Sequence, residues 1–405
     1  MAAHNFEIPP PRYGVILTRR DIDRFEHNAL FAHELTLAFR SHGMKVRTLD
    51  YCGQPREVFA ALRDPACAFA LCFNGFGSEL TISAREEPSS LSSAYTAFGK
   101  PLLDFMHDCP AHDAMRHQVE ADFSHRLMLL TDYGSAQLAK GMGFRNVSFV
   151  PSITFPATIG PDIRPIRERS IRILLPVGLA SPDQVAERFL ATGAYKNRLY
   201  KALFEAVTSA CVCDWRRDPV TETVTACREC GIDLDFRTAD ARFLLTAILD
   251  HTKFARRRKL LRAIAHLPVT VISDRSLDDF APASHVRLAP QRSASELLRV
   301  MADSQCVICP TPHMTGFHER ALAAFTAGAA VFSPPNDVLE SNFVSGQEFL
   351  FFRGEAELAA ILEDMVEWPG DLASIAAAGR ARAMGMFHPK RVAALFLSLL
   401  LTRIG

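Results

Sequence analysis

The chain lacks an excess of either charge: Lys and Arg number 45, and so do Asp and Glu. That balance gives no cationic field for a nucleic-acid backbone to neutralise, and leaves only local anion sites such as the basic run at residues 255–259. The opening MAAHNFEIPPPRYG holds no apolar signal region. No uninterrupted apolar run reaches the roughly 18 residues that a spanning helix needs, and the last one, residues 392–401, reads as a packed terminal helix. The cytoplasm is the expected compartment. No repeat of solenoid length recurs. No G-x-G-x-x-G follows a strand, which argues against a dinucleotide enzyme.

Ten cysteines in 405 residues make no disulfide scaffold. Cys227 and Cys230 follow Cys211 and Cys213, but the one-residue gap of the earlier pair departs from zinc-ligand spacing. Separate thiols in a helical region are the better reading, and Cys306 and Cys309 read as small hydrophobes in a strand.

What is present is a 48% hydrophobic, 22% charged chain, the composition of a globular protein long enough for about two domains. Short apolar runs alternate with amphipathic stretches, the pattern of βαβ units. Strands are expected at 13–17, 46–49, 68–73, 102–106, 127–131 and 147–150, with helices at 31–42, 55–62 and 134–142 between them. Residues 151–169, rich in Pro and Gly, read as a weakly structured linker. A second series follows, with strands at 171–176, 269–273, 285–288, 306–309 and 329–332. Its helices are expected at 256–266, 294–302, 319–327 and 355–367. Residues 182–254 show helical period and read as a mainly helical insertion. The fold class is therefore α/β, two Rossmann-like doubly wound domains facing a crevice, spanning 1–160 and 170–385.

The segment TGFHERALAAFTAGAAVFSPPN, residues 315–336, is the most informative. Its Ala-rich run favours helix, Gly328 suits the left-handed stop, and a short strand follows. Residues 316–320 thereby fall at a helix N-terminus, where free N–H groups and the helix dipole suit an anion.

This motif, set in two Rossmann-like halves, resembles the GT-B glycosyltransferases, and most nearly the CgeB-like (spore maturation protein) group of the group-1 glycosyltransferases. The similarity continues through residues 336–351, Glu355–Leu358 and Ala378–Arg380, and into a closing helix at 386–405 that in such folds crosses back to the first domain. The resemblance implies transfer of a sugar from a nucleotide-sugar donor to an acceptor hydroxyl. It implies no obligatory metal and no cofactor beyond the donor itself. The acceptor stays open among glycan, protein and small molecule. Glu319 is then the residue expected on donor hydroxyls, with Gly316, Phe317 and His318 forming the loop around the diphosphate. Asn336 and Glu340 lie where ribose-binding groups are often found. Arg256, Arg257 or Arg258 would face the diphosphate, and Asp274-Arg275 is a further candidate. One departure stands out: Ala323 occupies the position where the family usually places a second Glu on the ribose, so that contact is lost or moved to Glu340 or Asp337.

The first domain offers an acceptor side. His107 and Asp108 end an apolar strand, which places them at the crevice, and an imidazole beside a carboxylate suits proton acceptance from a hydroxyl. Asn74, Gly75 and Gly77 follow another strand, where glycines let backbone approach a ligand. The loop Thr18–Asp21 is a third site. Plainer readings stand beside these: Glu319 as a first-turn carboxylate, His318 as a packed histidine, the arginines as a solvated helix face, and Asp108 as a cap on the turn before Pro110. At the level of the molecule, the alternative to a transferase is a GT-B-fold binding or scaffold protein without transfer activity, and beyond that another two-domain Rossmann enzyme such as a sugar-nucleotide epimerase.

Overall fold

A computed structural model describes residues 12–21, 23, 25–83, 91–116, 123–192, 198–273, 285–310, 315–367 and 372–403. In the first half the strands are β1 (Tyr13–Thr18), β2 (Lys45–Asp50), β3 (Cys67–Phe73), the short antiparallel pair β4 (Thr81–Ser83) and β5 (Leu91–Ser93), then β6 (Leu102–Met106), β7 (Arg126–Leu130) and β8 (Val147–Phe149). Six of them form one sheet, in the order β2-β1-β3-β6-β7-β8. Every pairing in it is parallel.

The second half contributes β9 (Ile171–Pro176), β10 (Val269–Ser273), β11 (Arg287–Pro290), β12 (Ser304–Ile308), β13 (Ala330–Ser333) and β14 (Leu350–Phe351). These make another parallel sheet, ordered β11-β10-β9-β12-β13-β14. The strand order reverses between β1 and β3 in one sheet and between β9 and β12 in the other. Ligands of open α/β sheets settle beyond the carboxyl ends of strands at such points.

The strands are near-continuous apolar runs because helices cover both faces. In β3, Phe69, Leu71 and Phe73 enter one core cluster while Ala70 and Cys72 enter another, as the two-residue period of a strand requires. A buried ion pair interrupts this apolar setting. Asp104 of β6 holds Arg126 of β7 at 2.5 Å, and its other oxygen accepts from the Gly75 amide at 2.7 Å. The turn after β3 is thereby tied to the neighbouring strand.

Two connections differ from the sequence expectation. The end of the expected helical insertion and the helix expected at 256–266 are one helix, Ala239–Ile264, of 26 residues; its sequence contains neither Gly nor Pro to end it. Leu245 and Leu249 of this helix share a core cluster with Met106, Met128 and Ala136 of the first half, while Leu260, Leu261 and Ile264 join the core beneath the second sheet. The insertion is helical as expected, through Pro182–Ala191, Arg198–Cys213 and Pro219–Glu229, but its last helix spans both halves. The linker, expected to be weakly structured, carries a short helix, Pro156–Ile159, and a 3-10 turn, Ile166–Glu168. Buried Glu34 anchors it, accepting from the amides of Ala157 (3.3 Å) and Thr158 (3.0 Å) and from the Thr158 hydroxyl (2.9 Å).

The stretch Leu372–Thr402 is long and apolar enough to cross a membrane by composition. It is broken at Phe387-His388 into the helices Leu372–Met386 and Pro389–Arg403. The latter lies against the first half, on His27–Ser41, with Phe396 edge-on to Phe105 at 5.2 Å. The Phe387 carbonyl accepts from the Thr154 amide at 2.9 Å.

Candidate active site

The carboxyl ends of the two sheets face a cleft of about 710 Å³. On the second half its wall begins with the motif segment. His318 caps the helix Glu319–Thr326, its Nδ1 accepting from the Arg320 amide at 3.2 Å. Asn336 caps the next helix, Asp337–Asn342, by accepting from the Leu339 amide at 2.9 Å. Its Nδ2 donates to the Gly316 carbonyl at 2.7 Å. Asn336 thus supports the motif loop from behind, and is 1% exposed.

The other wall begins at Asn74. Its backbone is left-handed, with φ of 48°, a conformation Asn tolerates better than most residues. That turn aims its side chain at the end of β6. The Asn74 Oδ1 accepts from the His107 amide at 2.9 Å, and its Nδ2 donates to Asp108 Oδ2 at 2.9 Å. Gly75 and Gly77 also have positive φ, 68° and 106°. Their amides are taken by Asp104 and Glu79, so these two glycines shape the turn, and neither lines the cleft.

His107 sits between aromatic rings, with centroids 4.4 Å from Phe31 and 4.6 Å from Phe105. Both ring nitrogens are buried without a hydrogen-bond partner. Burial pushes its pKa below the ordinary histidine value, against the opposing pull of Glu319 and Asp108. The ring is therefore neutral near pH 7, and the residue lines the cleft. Glu319 shows the reverse balance. Burial disfavours its charge, but His318, Arg320, His107 and His27 outweigh that and hold its pKa down to about 2. His318 Nδ1 lies 3.1 Å from Glu319 Oε2. A fixed carboxylate on one half and a neutral base on the other thus line one cavity.

The long helix supplies a third wall with Leu249, Asp250, Lys253, Phe254 and Arg257. Asp250 holds Lys253 at 2.5 Å and lies 3.8 Å from His112 Nε2. Arg257 donates to the Gly178 carbonyl at 3.1 Å, just beyond β9. Arg257 and Arg320 bring two guanidinium groups to the cleft.

Several expected site residues lie elsewhere. Arg256 is a correction: it is 2% exposed, spans from the long helix to the carbonyls of Cys211, Asp214 and Arg217, and lies 5.2 Å over Trp215. Arg258 is another, donating to the Ala180 carbonyl from a buried position. Successive residues on a helix diverge by about 100°, so only Arg257 of the three reaches the cleft. Glu340 accepts from the Asn336 amide at 3.3 Å and, like Asn336, lies outside the cleft lining. Arg19 pairs with Asp21 at 3.0 Å and donates to Tyr51. Asp274-Arg275 falls outside the described residues.

Gly316, Phe317, His318 and Glu319 share the cavity with Asn74, His107 and Asp108. Sequence reading missed His27, His112, Asp132, Asp250 and Lys253, while Arg320 falls in the expected anion site at 316–320. Asp250, Lys253 and Arg257 stand at i, i+3 and i+7 of one helix, a polar stripe that helical period makes legible. Ala323, one turn beyond Glu319, faces Leu30, Leu297, Leu298 and Met301 across a void of about 20 Å³. Cys211 and Cys227 are buried while Cys213 and Cys230 are exposed, and no group of three metal-ligating side chains occurs among the described residues.

The architecture is that of the GT-B glycosyltransferases, two parallel-sheet Rossmann-like units with helices around them. Residues 256–398, about a third of the chain, match the family described as glycosyl transferase-like. Sucrose-phosphate synthase from Thermosynechococcus elongatus is similar across 96% of this chain and 98% of its own, with a TM-score of 0.55 at 11% identity. Anabaena HepE in complex with UDP and glucose aligns over 96% of this chain and 100% of its own, with a TM-score of 0.51 at 12% identity. AviGT4, a glycosyltransferase involved in avilamycin A biosynthesis, covers 97% and 98% with a TM-score of 0.52 at 11% identity. At such identities the likeness is one of fold. No curated protein sequence matches the chain.

Proposed function

We propose that the protein is a metal-independent glycosyltransferase that moves a sugar from a nucleotide-sugar donor to an acceptor hydroxyl. One observation carries the reading: an unpartnered, neutral His107 shares an interdomain cavity with a carboxylate, Glu319, that is held ionised. In this reading the acceptor hydroxyl gives its proton to His107 as its oxygen bonds to the anomeric carbon. The bond from that carbon to the diphosphate breaks, and the electron pair leaves with the phosphate oxygen. Lys253, Arg257, Arg320 and the amides opening the helix Glu319–Thr326 meet the charge that develops there, so the chemistry asks for no divalent cation. Glu319 accepts from sugar hydroxyls and fixes the ring. Asp108, held by Asn74, orients the acceptor. The cytoplasm, where nucleotide sugars are made, is the proposed compartment. The solved HepE complex contains UDP-glucose, which makes UDP-glucose the first donor to try, and the acceptor stays unassigned.

Thermal shift against a panel of nucleoside diphosphates tests the reading. A nucleotide at about 100 times its Kd should stabilise the fold by about 2.7 kcal/mol. No shift with any nucleotide sinks it. Given a shift, Glu319→Ala should keep the fold and abolish sugar-nucleotide hydrolysis.

A second reading, a GT-B-fold binding protein without transfer activity, draws on Ala323. A carboxylate there would meet the apolar side chains of the helix Ala294–Ala302, so no ribose contact is available at that turn. A nucleotide shift with no hydrolysis or transfer in the wild type would favour it.

A further inference from the structure

The two halves of the cleft are fastened to each other at its edge. Gly316, from the second half, pairs antiparallel with Asp132, just beyond the end of β7 in the first half. The Tyr133 amide donates to the Thr315 carbonyl at 2.9 Å, and the Phe317 amide to the Thr131 carbonyl at 3.2 Å. The Thr315 hydroxyl donates to Asp132 Oδ2 at 2.8 Å and accepts from the Gly134 amide at 2.9 Å. Asp132, 6% exposed, uses its other oxygen to cap the helix Tyr133–Gly141, accepting from the Ser135 amide at 2.6 Å.

The packing leaves no room for a side chain at 316. A Cβ there would stand 2.7 Å from the Asp132 Cα, although the backbone at 316 is not left-handed. The glycine is required by the approach of the other half, and not by its own conformation. Three residues further on, the chain turns into Glu319. One strand over in the first sheet, His107 follows the end of β6.

We propose that Asp132, Thr315 and Gly316 form an interdomain latch, whose task is to set Glu319 opposite His107. These are positioning residues: they act through the two groups they hold apart. This rests on the transferase reading for its consequence, though the latch itself is a claim about geometry. A rigid connection at this point matters because a misplacement of about 1 Å between reacting groups costs about 100-fold in rate. It also explains why a loop expected to embrace a diphosphate spends the Phe317 amide, the Thr315 carbonyl and hydroxyl and its glycine on the opposite half.

The test uses the exposed thiols of Cys52, in the first half, and Cys213, in the second. Spin labels are placed on both in a Cys230→Ser background, and the distance distribution between them is measured. Thr315→Val keeps the shape and removes the hydroxyl. It should broaden the distribution or lengthen its mean, Gly316→Ala should do the same through steric conflict, and Thr315→Ser should restore the wild-type curve. With UDP-glucose as probe, Thr315→Val should lower the kcat of hydrolysis about 100-fold with KM nearly unchanged. An unchanged distance distribution in both Thr315→Val and Gly316→Ala overturns the latch. A wild type inert toward every sugar nucleotide overturns the transferase reading instead, and the distance measurement still decides the latch.

Discussion

In the proposed transfer a single imidazole carries most of the chemistry. His107 must be neutral to accept a proton, and burial between Phe31 and Phe105 lowers its pKa from the ordinary value. The acid limb of any transfer activity should therefore fall below about pH 6.5, the usual histidine midpoint. Stability follows the same sign. The unfolded chain binds a proton at this site more readily than the folded one, so the His107 contribution to stability declines as pH drops through about 6.5 and below. Urea unfolding of wild type and His107→Asn between pH 5 and 7.5 should show a shallower decline in the variant. The neighbouring arginines separate two roles that look alike in sequence. Arg256→Ala removes a buried guanidinium that satisfies three carbonyls, and should cost at least about 2 kcal/mol in urea unfolding. Arg257→Ala should instead weaken nucleoside diphosphate binding, read by calorimetry, with the smaller effect on stability.

At the scale of elements, the long helix Ala239–Ile264 is the piece that the sequence understated. Apolar residues lie on several of its faces, so an amphipathic pattern does not announce which partner each face meets. Leu245 is fully buried against the first half. Leu245→Ala should destabilise the protein by about 2–5 kcal/mol, measured by chemical denaturation, although it lies in a segment that reads as an appendage. The six strands of the first sheet were legible as apolar runs of five or so residues between breakers, and the motif helix through its Ala run and Gly328. The strand expected at 285–288 begins two residues later, at Arg287. The β4–β5 hairpin was missed, since three-residue strands carry too short a pattern to register. Within the site, strand ends could be read as crevice-facing, which brought out Asn74, His107 and Asp108. Lys253 and Asp250 could not be placed so, because which helix face meets the cleft depends on the packing of the insertion.

Across the whole molecule, the halves are joined by more than the linker. The latch at Asp132–Gly316, the long helix, and the terminal helix on His27–Ser41 each cross between them. Removing residues 389–405 should uncover the first half's core at Phe105, with which Phe396 makes contact. Dye binding to exposed apolar surface should rise and the Tm should fall, as expected of a terminal helix that packs on the first half.

By itself the sequence determined the succession of strands and helices, two Rossmann-like series, and a helix start rich in ligand-type residues, because these follow from local period and backbone chemistry. Only the tertiary structure decided what those residues face. It turned Arg256 and Arg258 into internal struts, gave Gly316 to the other half, and brought His107 and Glu319, more than two hundred residues apart in the chain, to one cavity. The physical reason is that side-chain roles at a site depend on distance and burial across elements, and neither is written in local sequence.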